Sequence, residues 1–185
     1  MPRRRDAEPL KEQRLLDAAL ELVDEAGMDG LSMRRLGARL GVDAMAVYYY
    51  FPNKQALVTR LVESVFRGLP PVADGGRWQA RVLNWAAAYR GLALAHPNLV
   101  FQIFANAEAV NLAVAIANES LHRAIGEAGL QELEIAPSAD TVVDFVHGFV
   151  LAEVATKASA GAMDDAFRYS IELIIGGIEK RAASA

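Results

Sequence analysis

The stretch GLSMRRLGARLGVDAMAVYYYFPNK, residues 30–54, constrains this chain more than any other. It compresses two short helical patterns, a glycine turn, four consecutive aromatics, a proline and a new helix start into one run. Ser32 is placed to cap a helix, because its hydroxyl can accept orphan amide protons of the first turn. Met33, Leu36 and Leu40 then recur at helical spacing, with the small Ala38 between them, and Gly41 ends the pattern. Asp43 is placed to cap a further helix from Ala44. Two helices joined by about three residues that include glycine match the helix-turn-helix pattern, whose second helix can enter a major groove. Spacing alone leaves an ordinary helical hairpin open.

The aromatics that follow weigh against the hairpin. Tyr48, Tyr49, Tyr50 and Phe51 are consecutive, so they point to several sides of a short helix end. A small core absorbs one or two of them. The others stay near the surface, where phenolic hydroxyls can donate to phosphate oxygens. Pro52 ends the helix and Asn53 caps the next, whose apolar stripe is Leu57, Leu61, Val62 and Val65. Lys54 falls beside the amides of that first turn, a combination suited to a phosphate.

Residues 10–26 precede this stretch as an amphipathic helix. Leu15, Ala19, Leu22, Val23 and Ala26 share a face, Glu12, Asp17, Glu21, Asp24 and Glu25 lie elsewhere, and Gly27 stops it. Together, residues 11–60 resemble the DNA-binding domain of the TetR family of bacterial transcriptional regulators. The matching pieces are AG at 26–27, GLSMRRLGARLGV at 30–42 and AVYYYFPNKQALV at 46–58, with Tyr48, Phe51 and the Asn53–Lys54 pair the most specific. The rest of the chain matches in size and helical character.

The resemblance implies roles residue by residue. Ser32 and Met33 stand at the start of the second helix, where the family's phosphate contact is usually a Ser or Thr; the Met33 side chain cannot make that bond, which falls to Ser32 or to a backbone amide. Arg34 occupies a position from which some members reach a guanine edge. The recognition helix is implied to run from Ala44 to Tyr50, with Ala44, Met45, Tyr49 and Tyr50 as DNA-binding candidates beside Tyr48. Tyr48 and Lys54 match the family's phosphate-binding tyrosine and lysine, while Val47 and Phe51 are implied to pack inside. The helix departs from many relatives in its lack of hydrogen-bonding side chains before Tyr48. Ala44, Met45 and Ala46 offer only apolar contact, for example to a thymine methyl. Base reading then leans on Arg34, Tyr49 and the arginines at positions 3–5.

A formal net charge of -4 argues at first against a nucleic-acid partner. The whole-chain average hides where the basic residues lie. Residues 1–70 hold eleven Lys or Arg against ten Asp or Glu, whereas residues 71–185 hold eight against thirteen. Arg3, Arg4 and Arg5 precede the first helix, either as a DNA-reaching arm or as a solubilising tail. Arg34, Arg35 and Arg39 sit on the second helix. There is no cysteine, so disulfides and thiolate metal sites are excluded. The first residues lack the apolar core of a secretory signal, and no uninterrupted apolar run reaches the about eighteen residues of a membrane span. The expectation is a soluble, cytoplasmic protein.

Gly68-Leu69-Pro70-Pro71 and Asp74-Gly75-Gly76 read as a linker. Beyond it, residues 77–95 form a helix with Trp78, Val82, Trp85, Tyr89 and Leu92 at helical spacing, interrupted by His96-Pro97-Asn98. A short helix at 99–105 and a longer one at 107–128 follow, the latter carrying Val110, Val114, Leu121 and Ile125. Pro137 suits the start of the next helix, 138–157, and the last runs over 164–181. Both final helices carry more apolar surface than one stripe requires, which suggests a partner surface. Gly176 and Gly177 cost about 1 kcal/mol each inside a helix, a cost explained by close approach of another helix or by a loose chain end. In the resembled family the last two helices form a four-helix dimer interface.

The expected fold is therefore all-α. An N-terminal three-helix helix-turn-helix domain (1–55) leads through a connecting helix and linker (56–76) to a C-terminal helical ligand-binding and dimerisation domain (77–185). Trp85, Tyr89, His96, Phe101, Phe104, Asn111, His122 and His147 are candidates to line an effector cavity, with a core role open for each. The three histidines lack partners at ligand spacing, so no metal and no cofactor is expected. No phosphate loop, HExxH pattern or Ser/His/Asp constellation supports an enzyme. The leading function is a homodimeric repressor that a small, largely apolar effector releases from a palindromic double-stranded operator. An activator or an effector-dependent DNA binder of the same fold is the alternative, and a helical oligomerisation module a more distant one.

Overall fold

A computed structural model describes residues 10–69, 75–100, 118–156 and 160–184. Arg3–Arg5, Phe101, Phe104 and Asn111 lie outside these residues, as do residues 101–105 and 107–117 of the expected helices at 99–105 and 107–128. The described elements are all helical: α1 (Glu12–Gly30), α2 (Met33–Leu40), α3 (Ala44–Tyr50), α4 (Lys54–Phe66), α5 (Trp78–Ala95), α6 (Glu132–Thr156) and α7 (Ala160–Ala182). Residues 97–100 and 118–126 are also helical.

The chain divides into two compact units. Of the described residues, 10–65 and 98–100 belong to the first; 66–69, 75–97, 118–156 and 160–184 belong to the second. Helix α4, set apart as a connector by the sequence pattern, therefore lies in the first unit up to Val65 and gives its last residue, Phe66, to the second.

The first unit follows its capping signals. The Ser32 hydroxyl accepts the Arg35 amide at 3.2 Å, the Asp43 carboxylate that of Met45 at 2.8 Å, and the Asn53 side chain that of Ala56 at 2.8 Å. Gly41 turns the chain out of α2 at φ 68°, a left-handed conformation that glycine takes without steric penalty. Gly37 is required for a different reason. A Cβ there would come within 2.9 Å of the Val42 carbonyl oxygen, so a larger residue would push α2 off the turn leading to α3.

Helix α1 breaks at Gly27 (φ 65°, ψ -176°), where the sequence pattern stops, and one more turn carries it to Gly30. Leu15, Ala19 and Val23 of α1, Leu36 of α2, Val47 of α3, Phe51, and Leu57 and Leu61 of α4 are almost fully buried and form one core. Burial of a leucine or phenylalanine contributes about 1.5–3 kcal/mol, so these positions hold the three short helices together.

In the second unit α6 packs against α5 and α7. Helix α6 begins at Glu132, five residues before Pro137, so the proline lies inside the helix rather than at its start. The missing N–H costs one backbone bond, while the acidic Glu132 and Glu134 favour the first turn through the helix dipole. Helix α7 begins at Ala160, before the expected residue 164, and Gly176 and Gly177 lie well within it. By length and composition α6 could cross a membrane. Its Ala139, Val142, Val146 and Val150 are instead buried within the protein.

One ionic cluster in this unit carried no sequence signal. Arg90 of α5 donates to Glu153 of α6 through two bonds, 2.9 and 2.6 Å, and to Asp164 of α7 at 2.7 Å. Its guanidinium also lies 4.9 Å from the ring centre of Phe167 and 5.5 Å from that of Phe149. One buried arginine thereby ties three helices, and its carboxylate partners hold its pKa above the ordinary value.

Candidate nucleic-acid interface

Helix α3 is only seven residues long, and its two sides differ sharply. Val47 is fully buried, whereas Tyr48 is 44% exposed, Met45 72% and Tyr49 85%. Ala44 is half-buried. Exposed side chains of this size on a short capped helix, beside a tight glycine turn, are what a helix laid in a groove requires.

Tyr50 is placed differently from its neighbours. Its hydroxyl donates to the carbonyl oxygen of Leu10, so the phenol faces the chain's entry into α1 instead of solvent. The Tyr49 ring meets that of Tyr50 edge-on, with centres 5.2 Å apart. Tyr49 is thus exposed and braced at once.

The cations sort themselves in the same way. Arg39 is engaged within the protein, pairing with Glu21 at 3.1 Å and with both oxygens of Glu25 on α1. Its guanidinium holds the Glu25 carboxyl below the usual carboxylate range. Arg60 is similarly taken by Glu12 and Glu63. Arg34 is exposed and makes no hydrogen bond or ion pair among the described residues. Lys54, exposed at the start of α4, donates to the Met28 carbonyl at 2.7 Å, and its ammonium retains two donors for another acceptor. The Ser32 oxygen already accepts one amide, which leaves its hydroxyl proton to donate.

The effector candidates fall into two groups. Trp85 and Tyr89 of α5 and His147 of α6 come together in the second unit, all buried. The Tyr89 hydroxyl shares a hydrogen bond with His147 Nε2, Trp85 lies 5.0 Å from the Tyr89 ring, and Phe66 lies 5.8 Å from it. Burial pushes the Tyr89 hydroxyl pKa up and lowers that of His147 to about 4, so the imidazole is neutral at pH 7. His96 and His122 are half-buried.

A separate apolar groove of about 520 Å³ opens between α6 and α7, lined by Leu133, Pro137, Thr141, Ile174, Gly177 and Ile178 among others. None of the effector candidates lines it. Along their lengths the two helices expose the large apolar residues Leu133, Leu151, Val154, Tyr169 and Leu173. Among the described residues no group of histidine and acidic side chains is arranged for a metal ion.

Residues 15–61 match the family model for bacterial regulatory proteins of the tetR family, and residues 70–162 match the tetracyclin repressor-like C-terminal domain. The class A tetracycline repressor from transposon 1721 of Escherichia coli is 31% identical, over 82% of this chain and 71% of that protein. BioQ of Mycobacterium smegmatis superposes with a TM-score of 0.79 at 26% identity, covering 93% of this chain and 99% of the other. BioQ solved with its double-stranded DNA operator gives 0.75 at 27%, covering 92% and 99%. A single-residue variant of TetR from Acinetobacter baumannii AYE, in complex with minocycline, gives 0.72 at 27%, covering 92% and 97%. Two family models that together span most of the chain leave one conclusion: it belongs to the tetR family of bacterial regulatory proteins, dimeric and effector-responsive repressors that bind DNA and catalyse no reaction.

Proposed function

We propose that Arg34, Met45, Tyr48, Tyr49 and Lys54 form the DNA face of each protomer, with Ser32 at its edge. The observation that carries this reading is the split of α3 into a buried Val47 and the exposed Met45, Tyr48 and Tyr49. Tyr48, Lys54 and the Ser32 hydroxyl serve phosphates, while Arg34, Met45 and Tyr49 serve base edges. Tyr50 acts indirectly by bracing Tyr49. A dimer formed through α6 and α7 has two-fold symmetry, so the operator is a palindrome whose half-sites lie about one DNA turn apart.

The effector site is proposed around Trp85, Tyr89 and His147. A neutral imidazole bonded to a phenol, walled by Trp85 and Phe66, offers one polar anchor in apolar surroundings, which suits a largely apolar ligand. A ligand that binds one conformation of this site better than another shifts the population towards it, and the affinity for DNA falls by the free-energy difference the ligand distinguishes.

Because the chain has two tryptophans, a Trp78→Phe background isolates Trp85. Apolar compounds that quench Trp85 fluorescence are expected to release a preferred duplex in the same concentration range. Quenching without any change in DNA affinity would place the regulatory site elsewhere.

A further inference from the structure

We infer that this repressor reads its operator chiefly through thymine methyl groups, with Met45 and Tyr49 as the reading side chains. The inference rests on the reading of α3 as the recognition helix and deepens it by naming the base feature recognised. Three observations converge on it.

Arg34, on α2, remains exposed to reach a base edge, but several other side chains able to read bases by hydrogen bonding are engaged within the protein. Arg39 is held by Glu21 and Glu25, the Asp43 carboxylate by the Met45 amide, and the Tyr50 hydroxyl by Leu10. Of the exposed groups on α3, only the two phenolic hydroxyls of Tyr48 and Tyr49 can donate or accept.

What α3 does expose is apolar. Met45 and Tyr49 are one helical turn apart, so their side chains share a face, and both are among the most exposed large apolar residues of the first unit. A thioether side chain is flexible and polarizable, suited to a small alkyl group. The Tyr49 ring rests edge-on against Tyr50, itself bonded to Leu10, a contact that favours one orientation of the exposed ring. In the major groove the apolar group a base pair presents is the thymine C5 methyl.

The test uses full-length protein and a preferred duplex selected from a random pool. Each thymine of a half-site, with its symmetry mate, is replaced in turn by deoxyuridine, which pairs identically but lacks the methyl. Affinity is read by fluorescence anisotropy at fixed salt. At one or more positions, loss of a fully buried methyl should weaken binding by about fourfold per half-site. Met45→Ala or Tyr49→Ala should bind the thymine and uracil duplexes alike at the position that each residue reads. Both side chains lie outside the core, so circular dichroism spectra should match the wild type. The inference is overturned if no uracil substitution changes affinity by as much as twofold. It is equally overturned if both variants keep the full uracil penalty at every position. Failure to enrich any duplex from the pool would instead overturn the DNA-face assignment on which the inference rests.

Discussion

The Lys54 ammonium donates to the Met28 carbonyl oxygen at 2.7 Å, joining the first residue of α4 to the turn that closes α1 beyond Gly27. The lysine is therefore held in place before any DNA arrives, with two N–H groups still able to donate to a phosphate. A phosphate carries no sequence information. Lys54→Ala should weaken binding to preferred and unrelated duplexes by a similar factor and reduce the log–log salt slope by about two, one phosphate for each half-site of the dimer. Anisotropy titrations across a salt series check this. Weakening confined to the preferred duplex would assign Lys54 to base reading.

The helix-turn-helix was legible because its signals are local. Ser32, Gly41, Asp43 and Asn53 act on residues within a few positions of themselves, and each performs in the structure the capping or turning role its type suggests. The engagement of Arg39 and Tyr50 was not legible, since it depends on where α1 lies. Arg90 gave no signal at all: its partners Glu153 and Asp164 are 63 and 74 positions away. Tyr89 and His147 stood out as aromatic and polar residues on apolar helices, but their pairing across 58 positions needed the packing of α5 on α6. The early start of α6 was hidden by Pro137, which normally opens a helix and here sits inside one.

His147 gives the second unit an acid sensitivity. Its folded pKa of about 4 lies below the ordinary 6.5 because burial penalises the charged ring, partly offset by Asp144. Well above pH 6.5 neither folded nor unfolded chain carries this proton. As the pH falls from 6.5 towards 4 the unfolded chain binds it first, so stability declines over that window. His147→Gln, which keeps a partner for Tyr89 but cannot titrate, should flatten the fall of Tm between pH 6.5 and 4 relative to wild type. Parallel Tm curves for the two proteins would show that His147 does not contribute.

The Arg90 cluster predicts unequal effects from its members. Arg90→Ala strands the Glu153 carboxylate, which is almost as buried as the arginine, and should cost about 3 kcal/mol. Asp164 is largely exposed, so Asp164→Asn should cost less than about 1 kcal/mol. Urea denaturation with a common m-value measures both. Equal destabilisation by the two variants would mean that Asp164 is the principal partner of Arg90.

The apolar face of α6 and α7 predicts the assembly. Leu151 is 56% exposed and Leu173 60%, far beyond what either would be as a core residue. With the last helices as the dimer interface, Leu173→Glu should convert the dimer to a folded monomer in sedimentation velocity and lower operator affinity by at least about 100-fold, because the second half-site is no longer engaged by the same molecule. A Leu173→Glu protein that remains dimeric would move the interface away from this face.

A two-fold symmetric protein that presents residues 30–54 to DNA must prefer a two-fold symmetric duplex, and selection of bound duplexes from a random pool tests this. The full-length protein should enrich one consensus with two inverted half-sites whose centres lie about 10 base pairs apart or a multiple of that. The same selection with Arg34→Ala should relax the preference at a single position of each half-site. No enrichment, or a single unrepeated motif, would contradict both the symmetry and the assignment of residues 30–54 to DNA.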